Sequence, residues 1–310
     1  MKQIFVKELM KLAEKDKDLV LLTGDLGFGM FDEFRKKYPK QFINMGIAEQ
    51  NMIGVAAGLS MTGKKVIVYS IIPFVTFRCL EQIKNDLCYP KLNVKIVGAG
   101  AGYMYSTSGS SHHAIEDIGI MYSLPNMKIY SPGTEYEVEE CTKNLFADKS
   151  PTYMRLGKLI KEDIKRNKFV FGRGSWFNDY NNSDVTIITT GSILPVVLEA
   201  MRELNRKGIK CRVINFHVLS PIDVRDLLKV VHDSNLLITV EDHNVKNGLG
   251  TIVADMLCQH TSLPFKLKKI GIPNMFVHEV GSIEHIRKTL GLTSNDIVER
   301  IINEKNIICM

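Results

Sequence analysis

Glu49 is the first residue of this sequence whose position points to chemistry. It follows Gly46-Ile-Ala and opens an apolar stretch that contains Gly54 and Gly58, and such small residues let a helix pack closely against another backbone. A carboxyl group buried at such a helix start can hold or move a proton. The simpler alternative is an exposed helix start, where the helix dipole favours an acidic side chain.

Two adjacent histidines, His112 and His113, lie in a segment rich in glycine and serine. An imidazole titrates near neutral pH, so it can relay protons at a reacting centre. Glu116 and Asp117 follow closely and would complete a set of metal-ligand types. Neighbouring side chains point in different directions, however, and no distant partner cluster is evident, so we expect no metal site. A surface loop without function is the remaining alternative.

The elements that must position these groups follow from the hydrophobic pattern of the first half. Short apolar runs predict strands over residues 19–23, 66–69, 94–97 and 127–130, and helical periodicity predicts helices over 49–61, 77–87 and 135–146. The strands are mostly apolar rather than alternating, as in a parallel sheet with helices on both faces. This pattern predicts a doubly wound α/β domain.

The regularity breaks between residues 157 and 184, where a charged segment is followed by turn-forming residues. Strands are predicted again over 185–190, 211–216 and 236–240, with helices over 194–204, 223–231 and 249–259. We therefore predict an α/β domain over residues 1–160, a linker over 161–184 and a second, smaller α/β domain over 185–310.

Composition sets limits on the class of protein. A chain of 310 residues with 45% hydrophobic residues is long enough for two domains and too apolar to be mostly disordered. Lysines and arginines are interleaved with acidic residues, so the net charge of +6 forms no block for nucleic acid. The first residues lack the apolar core of a signal peptide, and no apolar run approaches the roughly 18 residues of a membrane span. We expect a soluble cytoplasmic protein that binds neither nucleic acid nor membrane.

One segment carries a family resemblance. Phe42-Ile-Asn-Met-Gly-Ile-Ala-Glu-Gln-Asn-Met52, followed by Ala56-Ala-Gly-Leu59, resembles the hallmark of the pyrimidine-binding domain of transketolases and 1-deoxyxylulose-5-phosphate synthases. The resemblance implies that Glu49 contacts a ring nitrogen in the aminopyrimidine of thiamine diphosphate and is catalytic. That contact favours the imino tautomer, which can deprotonate the reactive carbon of the cofactor.

Further segments extend the resemblance. Residues 70–86 resemble the family segment in which an aromatic ring stacks on the aminopyrimidine, and this implies Phe74 as the first candidate and Phe77 as the second. Residues 109–117 resemble the family's Asp-Gly-x-Thr-His-Gln loop, which implies that His112 is catalytic and contacts substrate, with His113 beside it.

The resemblance also implies roles for three other residues. Asp25 and Leu26 correspond to residues that line the cofactor region, although the glycine spacing around them does not match a dinucleotide fingerprint. Arg155 aligns with an arginine that binds the substrate phosphate, with a structural ion pair as the alternative. Segments of the second half follow the order of the transketolase C-terminal domain, so the resemblance covers practically the whole chain.

One part of a full-length transketolase has no counterpart here. Those enzymes begin with a diphosphate-binding domain that carries a Gly-Asp-Gly motif and completes a magnesium site. This sequence contains no Gly-Asp-Gly. The resemblance therefore implies that thiamine diphosphate and Mg²⁺ are held mainly by a separate N-terminal subunit, and that two unlike pairs form a heterotetramer.

The function implied is that of the C-terminal subunit of a split transketolase, which moves a two-carbon ketol unit between sugar phosphates. Three alternatives remain. A 1-deoxyxylulose-5-phosphate synthase would need an arginine that residues 97–103 lack. A 2-oxoacid dehydrogenase beta subunit has a similar architecture. A non-catalytic scaffold would need neither Glu49 nor His112.

Overall fold

The computed structural model describes residues 1–158, 168–178 and 182–308. Its strands form two sheets joined by helices. The strands are β1 (Leu19–Thr23), β2 (Phe42–Asn44), β3 (Lys65–Ile71), β4 (Val94–Ala99), β5 (Lys128–Tyr130), β6 (Thr152–Leu156), β7 (Ser175–Phe177), β8 (Ser183–Thr189), β9 (Cys211–Asn215), β10 (Val218–Ser220), β11 (Ser234–Asn244) and β12 (Leu267–Ile272).

The helices cover these sheets. They are α1 (Lys2–Lys15), α2 (Asp32–Lys37), α3 (Glu49–Met61), α4 (Ile72–Thr76), α5 (Leu80–Gln82), α6 (Asp117–Tyr122), α7 (Glu135–Ala147), α8 (Leu194–Arg206), α9 (Val224–His232), α10 (Leu249–His260), α11 (Ile283–Thr289) and α12 (Ser294–Ile308). A π-helical turn over Ile83–Cys88 continues α5.

The first sheet has the order β10-β5-β6-β4-β3-β1-β2 and is parallel except for β10. Successive side chains of a strand face opposite sides of the sheet. In β1, Leu19 and Leu21 join the core cluster that contains Phe5 of α1, whereas Val20 and Leu22 join the cluster that contains Met52 of α3. Both faces are therefore covered, which explains why β1 is apolar at nearly every position.

The second sheet has the order β12-β11-β8-β9-β7 and is parallel except for β7. Its helix α8 buries a row of apolar residues spaced by three or four positions, namely Leu194, Val197, Leu198, Met201 and Leu204. This row lies in the same core cluster as residues of β8, β9 and α12. The predicted fold class, two doubly wound α/β domains, is confirmed by the two sheets.

Several predicted bounds agree with the structure, and one helix differs. The predicted strand 19–23 and helix 49–61 coincide with β1 and α3. The predicted helix 77–87 is instead a turn at residues 77–79 followed by α5 and the π-helical turn, and a separate short helix, α4, precedes it. The helical segment begins earlier because Pro73 lies in the first turn of α4, where its missing N–H costs no hydrogen bond.

The predicted linker over 161–184 also differs from the observed strands. Strand β7 lies inside that range and pairs with β9, and β8 begins at Ser183. Residues 161–167 and 179–181 of the predicted linker lie outside the described residues. Strand β10 belongs by sequence to the predicted second domain, yet it pairs antiparallel with β5 in the first sheet. The second half of the chain therefore contributes a strand to the first sheet.

Over the residues that the structure describes, no helix has the length and apolar character needed to cross a membrane.

Candidate functional site

Glu49 is the first residue of α3, and its side chain is only 1% exposed. Both carboxylate oxygens have partners. The Ser70 hydroxyl at the end of β3 donates to Oε1 at 3.0 Å, and Nη1 of Arg78 lies 2.7 Å from Oε2. A buried carboxylate needs such partners, because an unpaired buried charge is strongly unfavourable. The burial of Glu49 excludes the alternative that the sequence had left open, an exposed carboxylate at a helix start.

The position of Glu49 follows from the sheet. Its carboxylate lies where β1 and β3 end, and the carboxyl edge of a parallel sheet is where ligand sites form. The loop after β1 approaches it so closely that a Cβ atom built on Gly24 would lie 3.2 Å from Oε1 of Glu49. Gly46, with φ of 70°, makes the left-handed turn that leads from β2 toward α3.

A line of contacts joins Glu49 to the histidine loop. The guanidinium carbon of Arg78 lies 4.6 Å from the centre of the Phe74 ring, close enough for a cation–π interaction. Phe74 also contacts His112, whose ring centre is 5.0 Å away in an edge-to-face arrangement. Tyr105 lies 6.3 Å from the same imidazole. The structure thus brings together Glu49, Phe74 and His112, which are well separated in the sequence.

The two histidines have different surroundings. His112 is half-buried and its Nδ1 lies 3.0 Å from the Ser111 hydroxyl. His113 is 3% exposed and packs edge-to-face on Tyr103 at 4.7 Å. Burial lowers the pKa of His113, so this imidazole is kept neutral near pH 7. The geometry makes His112 the histidine that faces the Phe74 side, and His113 a packing residue of the loop.

The remaining predicted cofactor residues lie around the same edge. Asp25 has φ of 55° and is exposed; its backbone N–H donates to Asn44 Oδ1 at 3.0 Å, and Asn44 Nδ2 donates to its carboxylate at 2.9 Å. These bonds hold the loop after β1 to the end of β2. Leu26 is partly buried against the first-domain core. Phe77 is half-buried in the turn after α4, next to Arg78.

Arg155 lies in the interior, at the interface of the two domains. Its side chain is 1% exposed, with Nε 2.9 Å from Asp117 and Nη1 3.3 Å from Asp242, and Nη2 donates to the Ala114 carbonyl at 3.1 Å. Asp117 belongs to α6 of the first domain and Asp242 to β11 of the second. This geometry favours the structural ion pair, the alternative that the sequence had left open, over contact with a substrate phosphate.

His243 on β11 completes this interdomain network. Its Nε2 accepts a hydrogen bond from the Ile118 backbone N–H at 3.1 Å, and Nδ1 lies 3.1 Å from the Asn244 carbonyl. Nδ1 therefore carries the proton and Nε2 does not. Burial lowers the pKa of His243 to about 4. Near it, burial raises the pKa of Glu241 to about 7, against hydrogen bonds from two backbone N–H groups.

We predict that His243 makes the protein sensitive to acid. Between pH 6.5 and 4 the unfolded chain binds a proton on this residue that the folded chain does not, so the free energy of unfolding falls as the pH is lowered, by about 3 kcal/mol in full. Glu241 acts in the opposite sense between about pH 4.5 and 7, because its folded form retains a proton. Urea unfolding of His243→Asn across this range should show a smaller loss toward low pH than the unmodified chain shows.

The exposed His232 provides the control, since His232→Asn removes an imidazole outside the interface. An unchanged pH dependence in His243→Asn would contradict the prediction.

Sequence reasoning did not single out two residues of the site. Arg78 lies four positions after Phe74, a spacing that brings side chains together on a helical segment. Ser70 is a polar residue at the end of an apolar strand, and such a residue is a signal of an internal hydrogen bond. Within the described ranges, no three His, Cys, Asp or Glu side chains lie together as a metal site would require.

The fold and the site together define a class. A doubly wound domain carries a buried carboxylate, an aromatic ring and a histidine at its carboxyl edge, and it is joined to a second α/β domain through a buried ionic network; this is the arrangement of a pyrimidine-binding domain with its C-terminal partner domain. Residues 1–160 match the family model "Transketolase, pyrimidine binding domain", and residues 174–297 match "Transketolase, C-terminal domain". The chain belongs to the transketolase family.

Relatives of similar length support this assignment. The chain is 37% identical over 309 residues to a putative transketolase C-terminal section of Methanocaldococcus jannaschii, covering 98% of this chain and 96% of the relative. It is 36% identical to one subunit of the apulose-4-phosphate transketolase of Phocaeicola vulgatus, covering 87% and 86%. A solved structure described as a split gene transketolase, inactive beta4 tetramer, superposes with a TM-score of 0.85 at 34% identity, covering 97% and 96%. The chain is thus similar to separately encoded transketolase subunits.

Proposed function

We propose that this chain is the cofactor-activating subunit of a split transketolase, which transfers a two-carbon ketol unit between sugar phosphates. A separate subunit would hold the diphosphate of thiamine diphosphate and its Mg²⁺. The single observation that carries the proposal is the buried Glu49 carboxylate at the carboxyl edge of the first sheet. Its partner Arg78 also contacts the face of the Phe74 ring. The names of the relatives, which are transketolase sections and subunits, support it.

The residues at this edge fit an aminopyrimidine. The flat guanidinium of Arg78 already donates a hydrogen bond to the Glu49 carboxylate and stacks on the Phe74 ring. These two contacts support a site suited to a flat ring with N–H or ring-nitrogen groups. In the proposed role Glu49 would hydrogen-bond the ring nitrogen, and Phe74 would stack on the ring face. Thiamine diphosphate, when bound, supplies the nucleophilic carbon and takes up the electron pair released by carbon–carbon cleavage.

The other residues of the chain would act on protons and on position. Ser70 fixes one oxygen of Glu49, so the second oxygen is directed toward Arg78 and the Phe74 side. His112, half-buried and held through Ser111, would donate or accept a proton at a sugar hydroxyl. Asp25 and Leu26 would contribute the loop that borders the cofactor, and Phe77 would support Phe74.

The partner subunit would cover an apolar surface at the same edge. Phe28 is 77% exposed and Ile47 is 80% exposed, and their loops are tied together by the hydrogen bonds between Asp25 and Asn44. Exposed apolar groups of this size beside a ligand site are typical of a protein interface. We propose a heterotetramer of two unlike pairs, with the cofactor between the unlike subunits.

Reconstitution tests the proposal. The purified chain with thiamine diphosphate and Mg²⁺ should show no ketol transfer, and adding the diphosphate-binding subunit that co-purifies with it from the native source should produce turnover with ketose phosphate donors. The control is the partner subunit alone under the same conditions. Full activity of the lone chain would contradict the split arrangement, and a reconstituted assembly without any turnover would support a scaffold.

The substrates used in the same assay separate the remaining alternatives. A two-carbon transfer between sugar phosphates supports the transketolase proposal, and the acceptor panel should include branched sugar phosphates because one relative is named for apulose 4-phosphate. Condensation of pyruvate with a triose phosphate would instead indicate a deoxyxylulose-phosphate synthase. Acyl transfer to a lipoyl protein would indicate a 2-oxoacid dehydrogenase.

A further inference from the structure

Arg78 contacts both of the groups at the centre of the site. Its Nη1 lies 2.7 Å from Oε2 of Glu49, and its guanidinium carbon lies 4.6 Å from the centre of the Phe74 ring. A guanidinium is flat, donates N–H groups in its plane and stacks on aromatic faces. A carboxylate at its edge and a phenyl ring at its face are therefore its preferred partners.

Glu49 and Phe74 are also the two groups that are proposed to bind the aminopyrimidine. A ring bonded to the carboxylate and stacked on Phe74 would need the space and the acceptor that Arg78 uses. From this overlap we propose that Arg78 is a displaceable placeholder: while the cofactor is absent, it occupies the pyrimidine position, and it must leave Glu49 before the cofactor ring can bind. This inference rests on the proposed function, because it takes the occupant of the site to be that ring.

The surroundings of the two charged groups are consistent with such an exchange. The Glu49 side chain is 1% exposed and is fixed by Ser70, whereas the Arg78 side chain is 43% exposed. Arg78 also lies in the turn between α4 and α5 rather than inside a helix. The arginine can therefore swing into solvent, where its charge is well hydrated. The carboxylate stays in place and gains a new partner from the ligand.

The placeholder would stabilise the chain before the cofactor is bound. Until the cofactor arrives, Glu49 would be a buried charge with a single hydroxyl donor, and an uncompensated buried charge is strongly destabilising. Arg78 neutralises it. The competing hypothesis is that Arg78 stays beside the ring and positions it. The two hypotheses predict opposite changes in cofactor affinity when the guanidinium is removed.

The first experiment measures the pairing in the isolated full-length chain, without cofactor. Thermal unfolding is compared for Arg78→Met, Glu49→Gln and the double variant. Arg78→Met should lower the melting temperature by about 4 °C, and the loss should be smaller when Glu49 is already neutral. Lys84→Met, which removes an exposed positive charge from the following helical turn, should have no effect. Losses from Arg78→Met that are equal in both backgrounds would overturn the pairing, whatever the function.

The second experiment measures the dissociation constant of thiamine diphosphate in the assembled complex by calorimetry, with Mg²⁺ present. If Arg78 occupies the site about nine-tenths of the time, only about one-tenth of the unmodified assembly has a site open to the cofactor. Arg78→Met leaves the site open all the time, so it should bind the cofactor about tenfold more tightly than the unmodified assembly. Lys84→Met should bind as the unmodified assembly does. Unchanged or weaker binding by Arg78→Met would overturn the placeholder and leave the proposed function standing. Absence of binding by the unmodified assembly would overturn both.

Discussion

Replacement of Glu49 by glutamine is expected to lower ketol transfer by the assembled enzyme about a thousandfold. The amide has the size of the carboxylate but cannot hold or move the proton that the proposed contact with the ring nitrogen requires, and loss of a positioned acid–base group costs about 10² to 10⁴ in rate. The fold should be preserved, because a neutral side chain is less costly to bury than a charged one. The measurement is kcat of the reconstituted assembly at saturating cofactor.

Glu81→Gln is the matched control for this variant. Glu81 is an exposed carboxylate on α5, close in sequence to Arg78, and its neutralisation removes the same charge without touching the buried site. Its turnover should equal that of the unmodified assembly. Size-exclusion chromatography should show intact assemblies for both variants. Normal turnover in Glu49→Gln would remove this residue from the mechanism and leave the scaffold hypothesis as the better one.

Replacement of Arg155 by methionine is expected to lower the free energy of unfolding by about 3–5 kcal/mol, the range found when one member of a buried ion pair is removed. Both Asp117 and Asp242 would lose their guanidinium partner. Asp117 would keep only a neutral side-chain donor, the Tyr153 hydroxyl at 2.6 Å. The pKa of the Arg155 guanidinium is raised above its ordinary range by the two carboxylates, against the effect of burial, so the guanidinium stays charged at any ordinary pH. Chemical denaturation of the isolated chain measures the effect.

A second variant separates a structural role from a substrate contact. Combining Arg155→Met with Asp117→Asn removes one of the stranded charges and should recover part of the lost stability. If Arg155 instead binds the substrate phosphate, as the family resemblance implied, the single variant should unfold normally and show a raised KM for sugar phosphates. That result would reassign the residue to the substrate site.

The sequence was sufficient for the fold class because several sheet strands are continuous apolar runs with helices between them, although β6, β12 and α1 were not predicted. Strand 19–23 and helix 49–61 are recovered with their bounds because each is an uninterrupted apolar run or a long stretch of one periodicity. The short edge strands β2, β7 and β10 were not predicted either, since three residues carry too little periodicity to be recognised.

For the site, the motif pointed to Glu49, Phe74 and His112, and the structure places them in one line of contacts. The role of Arg155 could not be decided from sequence, because its two carboxylate partners are 38 positions before it and 87 positions after it. Pairing across such separations depends on how the two domains meet. Arg78 was overlooked because a charged side chain beside an aromatic residue is common on exposed helices.

Strand β10 limits where this chain can be truncated. After the chain has entered the second sheet through β7, β8 and β9, it returns to close the edge of the first sheet beside β5 before going back to β11. A truncation near residue 174, where the match to the C-terminal family model begins, would leave the amino-terminal fragment with an open strand edge at β5, a surface prone to aggregation. We therefore expect an amino-terminal fragment to stay monomeric and folded only if β10 is also present.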